Sequence, residues 1–269
     1  MDKDILVSIL DGAVNIVKHL EEAEQMLGQL PYGSIIMHKS KNGEHAYAYH
    51  HYNKNRRRMQ ERLRLSETEL EEFRSQLMLH RQYQRERNQG LRYLKQNAGL
   101  LQDCYQLAAK NYRNWTARTF SVYQSENSFH AERLIHISSK GERVRSRAEV
   151  ILANTLAACR IPYRYEKQLT VGNRSYYPDF TVINPLSGKT VYIEYCGMDT
   201  PEYEDRLQRK LHAYNTMGIT EGTQLMIIRE YDSLIDSEKL SKLIKEHFTL
   251  KRFDALTHWL DRQICDKIN

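Results

Sequence analysis

The stretch YYPDFTVINPLSGKTVYIEYC, residues 176–196, holds two apolar runs of strand character, and each carries an acid where a buried strand should have none. The runs extend over 175–184 and 189–196, with Ser187-Gly188 between them as the turn. Proline has no amide hydrogen to give to a ladder, so Pro178 marks an edge, a bend or a bulge, and Asp179 follows it directly. Glu194 stands inside TVYIEY, a run apolar enough to be buried, where an unpaired carboxylate costs several kcal/mol. A cation is therefore expected beside it. Two acids at the ends of neighbouring hairpin strands offer the close oxygen donors that a hard divalent cation takes, with positions left for water and a phosphate. For either acid alone, a salt-bridged strand end is the plainer account.

Outward from this hairpin, the pattern reads as helix (145–160), strand (163–171), the two strands above, helix (200–217), strand (223–230) and helix (235–247). Gly172-Asn173 marks the turn between the first two strands. The order is α-β-β-β-α-β, a mixed α/β sheet flanked by helices. Glu149 lies one turn before Leu152 and Ala153 on their apolar side, which aims it at the sheet; capping of the first helical turn is the competing role. Tyr203, Leu207, Lys210 and Tyr214 recur at steps of four, three and four, so Lys210 shares the face that packs on the sheet. A lysine there needs a carboxylate or phosphate in reach, unless it snorkels from the margin of the stripe.

The N-terminal half divides differently. Residues 1–30 form an amphipathic helix ended by Pro31-Tyr32-Gly33, and 31–65 form a small β element with its hairpin signal at Asn42-Gly43. Read with period two, RRRMQERLRL puts Arg56, Arg58, Arg62 and Arg64 on one face, near Tyr47 and Tyr49. That stripe suits phosphates and bases, or is simply a solvated face. Ser66 and Glu69 form a capping box that opens a helical arm over 66–118 in heptad register from Leu70 to Trp115. Its centre is polar at His80, Gln84 and Arg87 and is followed by Gly90, so a break or helical hairpin there competes with one continuous rod able to dimerise. Residues 119–140 read as a connector with some strand character, and a new domain, 141–269, begins near Gly141.

Lysine and arginine outnumber the acids 40 to 34, which favours an anionic partner without naming one. Cys104, Cys159, Cys196 and Cys265 form no C-x-x-C pair, so neither a zinc site nor a disulfide framework is signalled. Cys196 reads as a structural thiol, and His45, His50 and His51 lack metal-ligand spacing. No leader or membrane span is evident, and a cytoplasmic protein is expected.

With these residues placed, RSRAE, IPYRYEKQL, YYPDFTV, VYIEYCGMDTPEYEDRLQRKLHAYNTMGI and TQLMIIRE resemble the PD-(D/E)XK nuclease superfamily over roughly residues 141–231. The nearest likeness is to bacterial and phage-type proteins with an E-x-x-G form of the motif. The resemblance implies a restriction-endonuclease-like core and metal-dependent cleavage of nucleic-acid phosphodiesters, DNA before RNA. It implies Mg²⁺, with Mn²⁺ as a substitute, held by Asp179 and Glu194, and a supporting role for Glu149. The motif lysine is missing, because Cys196 stands two residues after Glu194. Lys210, moved onto the next helix, is the expected replacement and Arg206 the fallback. Two alternatives stay open: a non-catalytic nucleic-acid-binding protein of the same fold, and a coiled-coil interaction protein of a mobile element or defence system.

Overall fold

The computed structural model describes residues 2–40, 43–54, 57–118, 125–129, 131–197, 200–229 and 236–268, without the side chains at 40, 50, 52–54, 57–60 and 264–268. The chain divides into two compact units, Met1–Leu10 with Asp103–Asp254, and Asp11–Gln102 with Ala255–Asn269.

The second unit takes most of α1 (Lys3–Gln29), then β1 (Gly33–Ser40), β2 (Gly43–Lys54) and β3 (Arg57–Leu65), and much of α2 (Glu67–Thr116). The three strands form an antiparallel sheet in the order β1-β2-β3, with Ser40 paired to Gly43. Gly43 has φ of +117°, a conformation costly for any residue with a side chain, which is why the hairpin signal carries a glycine there. Asn42 lies outside the described residues.

α2 is one unbroken helix of 50 residues, opened by the expected capping box: the Ser66 amide donates to Glu69 Oε2 at 2.8 Å, and the Glu69 amide to Ser66 Oγ at 3.4 Å. The heptad positions Leu77, His80, Leu94, Leu101 and Ala108 are buried. The polar centre does not break the helix because neighbours in the same chain meet it. His80 packs on the Tyr32 ring at 5.3 Å, and Arg87 reaches Glu24 of α1 at 3.3 Å. Gly90 serves close approach: a Cβ there would stand 3.0 Å from Leu20 Cδ2 and 3.2 Å from Ile16 Cγ2.

In the first unit, β4 (His136–Ile137) pairs with β5 (Arg143–Val144), then α3 (Arg147–Ala158) precedes β6 (Tyr163–Tyr165). There follow β7 (Leu169–Val171), β8 (Arg174–Tyr176), β9 (Phe180–Ile183), β10 (Thr190–Cys196), α4 (Pro201–Thr216), β11 (Leu225–Arg229) and α5 (Ser237–Phe248). The main sheet has the order β11-β10-β9-β6. Its pairs are antiparallel except β10 with β11, which α4 connects in parallel. α6 (Asp254–Ile268), absent from the sequence reading, closes the chain and buries Leu256, Trp259 and Leu260.

Two strands read as continuous are each broken. The run 163–171 splits at Glu166, whose φ is +43°, and the run 175–184 splits at 177–179 around Pro178. The pieces between the breaks form a separate hairpin, β7 with β8. Side-chain alternation then sorts the faces. Phe180, Val182, Val191 and Ile193 pack with Leu152 and Leu156 of α3 and with Ile244 and Phe248 of α5. Tyr192 and Leu225 point the other way, into a cluster with Tyr214 of α4. The class is thus mixed α/β, with helices on both faces of the sheet, and Glu194 falls on the α4 side with Tyr192.

Gly90 and Gly99 on α2 separate packing from propensity, since nothing lies within 4 Å of a Cβ at Gly99. Gly99→Ala is expected to raise stability by about 0.5–1 kcal/mol, and Gly90→Leu to lower it by about 1–3 kcal/mol. Urea unfolding followed by circular dichroism reads both.

Candidate active site

The break at Pro178 determines where Asp179 goes. Phe180 of β9 pairs with Ile193 of β10, and the ladder ends there. The next amide available on β10, that of Tyr195, donates instead to Asp179 Oδ2 at 2.7 Å. The Asp179 carbonyl accepts from the Glu166 amide at 3.0 Å, so main chain and side chain are held from opposite sides. Asp179 stays partly exposed, and its Oδ1 has no hydrogen-bond partner among the described residues.

Glu194 is buried, and the cation expected beside it is Lys210. Its Nζ donates to Glu194 Oε2 at 2.6 Å and to the Tyr177 carbonyl at 2.7 Å, while Tyr214 Oη donates to Glu194 Oε1 at 2.6 Å. Thr200 caps α4 by accepting from the Tyr203 amide, and Pro201 begins the helix, so the start that sets Lys210 and Tyr214 over Glu194 is fixed locally. Arg206 is exposed, and its Nε donates to the Glu202 carbonyl of its own helix at 3.3 Å. Cys196 is buried, and burial pushes its thiol up to about 11, as a structural cysteine requires.

For Glu149 both roles read from the sequence hold at once. It is the third residue of α3 and completes a capping box with Ser146, its Oε2 accepting from the Ser146 and Arg145 amides at 2.9 and 2.8 Å. The same oxygen accepts from Tyr165 Oη of β6 at 3.0 Å, so the cap is buried against the sheet. Arg145 carries the arrangement further: its side chain clamps Glu166 at 2.6 Å, and the Glu166 amide holds the Asp179 carbonyl. Sequence reasoning missed this Arg145–Glu166 link. Its one local signal is RSRAE, where an arginine directly precedes the capping serine; Glu166 in YRYEKQL looked like any strand residue.

The charges interact. Burial is the main reason that Glu149 and Glu194 both rise to about 7, and the charge of Asp179 adds to each; amide and tyrosine bonds oppose the rise in Glu149, and Lys210 opposes it in Glu194. Asp179 is also raised, by burial first, against the opposing pull of Lys210 and the Tyr195 amide. Lys210 holds its proton above the usual lysine range despite burial, because Glu194 and Asp179 surround it. Glu194 and Asp179 thus share one ammonium, which favours a proton or a further cation. Among the described residues, no group of three or more His, Cys, Asp and Glu side chains is gathered as a metal-ligand set.

The arginine stripe belongs to the other unit. Arg56 and the side chain of Arg58 lie outside the described residues. Arg62 stacks its guanidinium 3.9 Å over the Tyr47 ring, and Arg64 donates to His45 Nδ1 at 3.0 Å. The chain matches no family model, no curated protein and no solved structure. Among the described residues, no helix is long and apolar enough to cross a membrane.

The raised carboxylates set a pH dependence. In chelator, the folded protein retains protons on Glu149 and Glu194 that the unfolded chain releases from about pH 4.5 upward, so stability falls as pH rises toward about 7. Each group contributes on the order of 3 kcal/mol to that fall, and Glu149→Gln should remove its share of the slope. Lys210→Met leaves Glu194 without its cation, and its cost should grow as pH rises through about 7, where Glu194 ionises in the parent, to roughly 3–5 kcal/mol above it. Urea unfolding at a series of pH values measures both.

Proposed function

We propose that the protein is a metal-dependent nuclease of the PD-(D/E)XK type, with a restriction-endonuclease-like core, that hydrolyses nucleic-acid phosphodiester bonds, DNA before RNA. One observation carries this reading: Asp179, taken out of the ladder at Pro178, lies within electrostatic reach of Glu194, and Lys210 bridges Glu194 to the Tyr177 carbonyl beside that break.

Asp179 and Glu194 would hold Mg²⁺ or Mn²⁺. The donors fit a hard cation, since both are carboxylates, Asp179 has an oxygen without a partner among the described residues, and the raised carboxylates favour added positive charge. When bound, the ion supplies an acidified water and neutralises charge on the pentacoordinate phosphorus. The chain's own groups do the rest. Lys210 carries the positive charge that replaces the motif lysine and holds the scissile phosphate. Glu149, fixed through Oε2, has Oε1 without a partner among the described residues and a pKa near 7 with which to accept a proton from water.

A second reading, a nucleic-acid-binding protein that does not cut, is favoured by a specific feature: both oxygens of Glu194 are engaged, by Lys210 and Tyr214. A cation at Glu194 would compete with both donors for its charge. A homodimer through α2 belongs to the nuclease reading, because symmetric cutting of a duplex needs two sites.

The deciding assay incubates purified protein with single- and double-stranded DNA and RNA in Mg²⁺ and in Mn²⁺. Cutting is expected in at least one combination, with Asp179→Ala abolishing it and Lys210→Met slowing it by about a hundredfold or more. Intact nucleic acid under every condition would exclude catalysis and leave the binding protein.

A further inference from the structure

Beside Lys210 runs an open groove of about 710 Å³, walled by the β7–β8 hairpin, α4 and the segment around Phe129. Arg174, Arg206, Arg209 and Lys210 line it, and no acidic side chain does among the described residues. The Lys210 charge is already matched by Glu194. The three arginines are different. Arg206 and Arg209 each direct Nε to a carbonyl of their own helix, at 3.3 and 3.1 Å, and none of the three has an ion pair among the described residues. This occurs although α4 carries Glu202, Glu204 and Asp205 in its first turns. Phe129 is 72% exposed at the margin of the groove, and Tyr177, whose carbonyl holds Lys210, forms part of the lining.

We infer that this groove binds a single-stranded nucleic-acid segment, its phosphates on Arg174, Arg206 and Arg209 and one unpaired base on Phe129, leading the strand to Lys210. Guanidiniums without an ion pair among the described residues give bidentate donors matched to phosphate oxygens. An exposed ring adds stacking that only an unpaired base can use, because a paired base keeps its faces inside the duplex. The inference rests on the nuclease reading for its meaning, since it states how substrate reaches that centre, but the groove itself stands on its own residues.

The test measures binding without cutting. Fluorescence anisotropy of a labelled oligothymidine in chelator is followed against salt for the full chain and for Arg174→Glu with Arg209→Glu, with Lys242→Glu as a control on α5. The double variant should bind at least about tenfold more weakly, with a salt slope shallower by roughly 1.4, about 0.7 for each lost phosphate contact on a single strand. Phe129→Ala should weaken the single strand about tenfold and leave duplex binding unchanged. The control should match the parent, and circular dichroism should show all variants folded. Unchanged affinity and slope in the double variant overturn the groove, as does an acidic peptide that binds as tightly as the oligonucleotide. Binding through the arginines without cutting in Mg²⁺ or Mn²⁺ sinks the nuclease reading and leaves the groove; cutting at the parent rate by the double variant does the reverse.

Discussion

The contact between Lys210 and the buried Glu194, 2.6 Å long, is the one on which the centre depends. A carboxylate in the middle of β10 faces helix α4, and it can stay there only if something on α4 answers its charge. Lys210 does so while donating to the Tyr177 carbonyl, next to the proline that interrupts the sheet. One ammonium thus ties the strand, the helix and the chain break together, and Tyr214 fixes the second oxygen of Glu194. Loss of this cation would affect charge balance and the local path of the chain at once.

The break at Pro178 supplies the other half of the design. A regular strand would pair the chain through 179 and turn the aspartate to one face of the sheet. With the ladder ended, the Asp179 carboxylate takes a β10 amide, while its carbonyl is held by Glu166. The chain through Arg145 then connects Asp179 to Glu149, and the charge of Asp179 raises both Glu149 and Glu194. That repulsion is what the proposed hard cation would relieve.

Much of this was legible in the residues because each step follows a local rule. Proline marked the break, the apolar run around Glu194 demanded a cation, and the step of four and three along α4 brought Lys210 and Tyr214 to the sheet. The heptad register of α2 was legible for the same reason, yet the tolerance of its polar centre was not, because Tyr32, Glu24 and Leu20 are distant in sequence. The Arg145–Glu166 clamp escaped for a related reason. It depends on a positive φ at a glutamate, which no propensity suggests, and on a pairing across 21 residues. Arg174 was also hidden, since it sits in a hairpin that appeared only when two long strands broke.

The central claim is that Asp179 and Glu194 form a cation site with Lys210 as its neighbour. Titration calorimetry with Mn²⁺ above pH 7 tests it most directly, because it needs no substrate and no turnover. The account predicts saturable binding at one class of site, with affinity lowered at least about tenfold in Asp179→Asn, one oxygen donor being lost. Absence of binding to the parent protein, or equal affinity in Asp179→Asn, would contradict it.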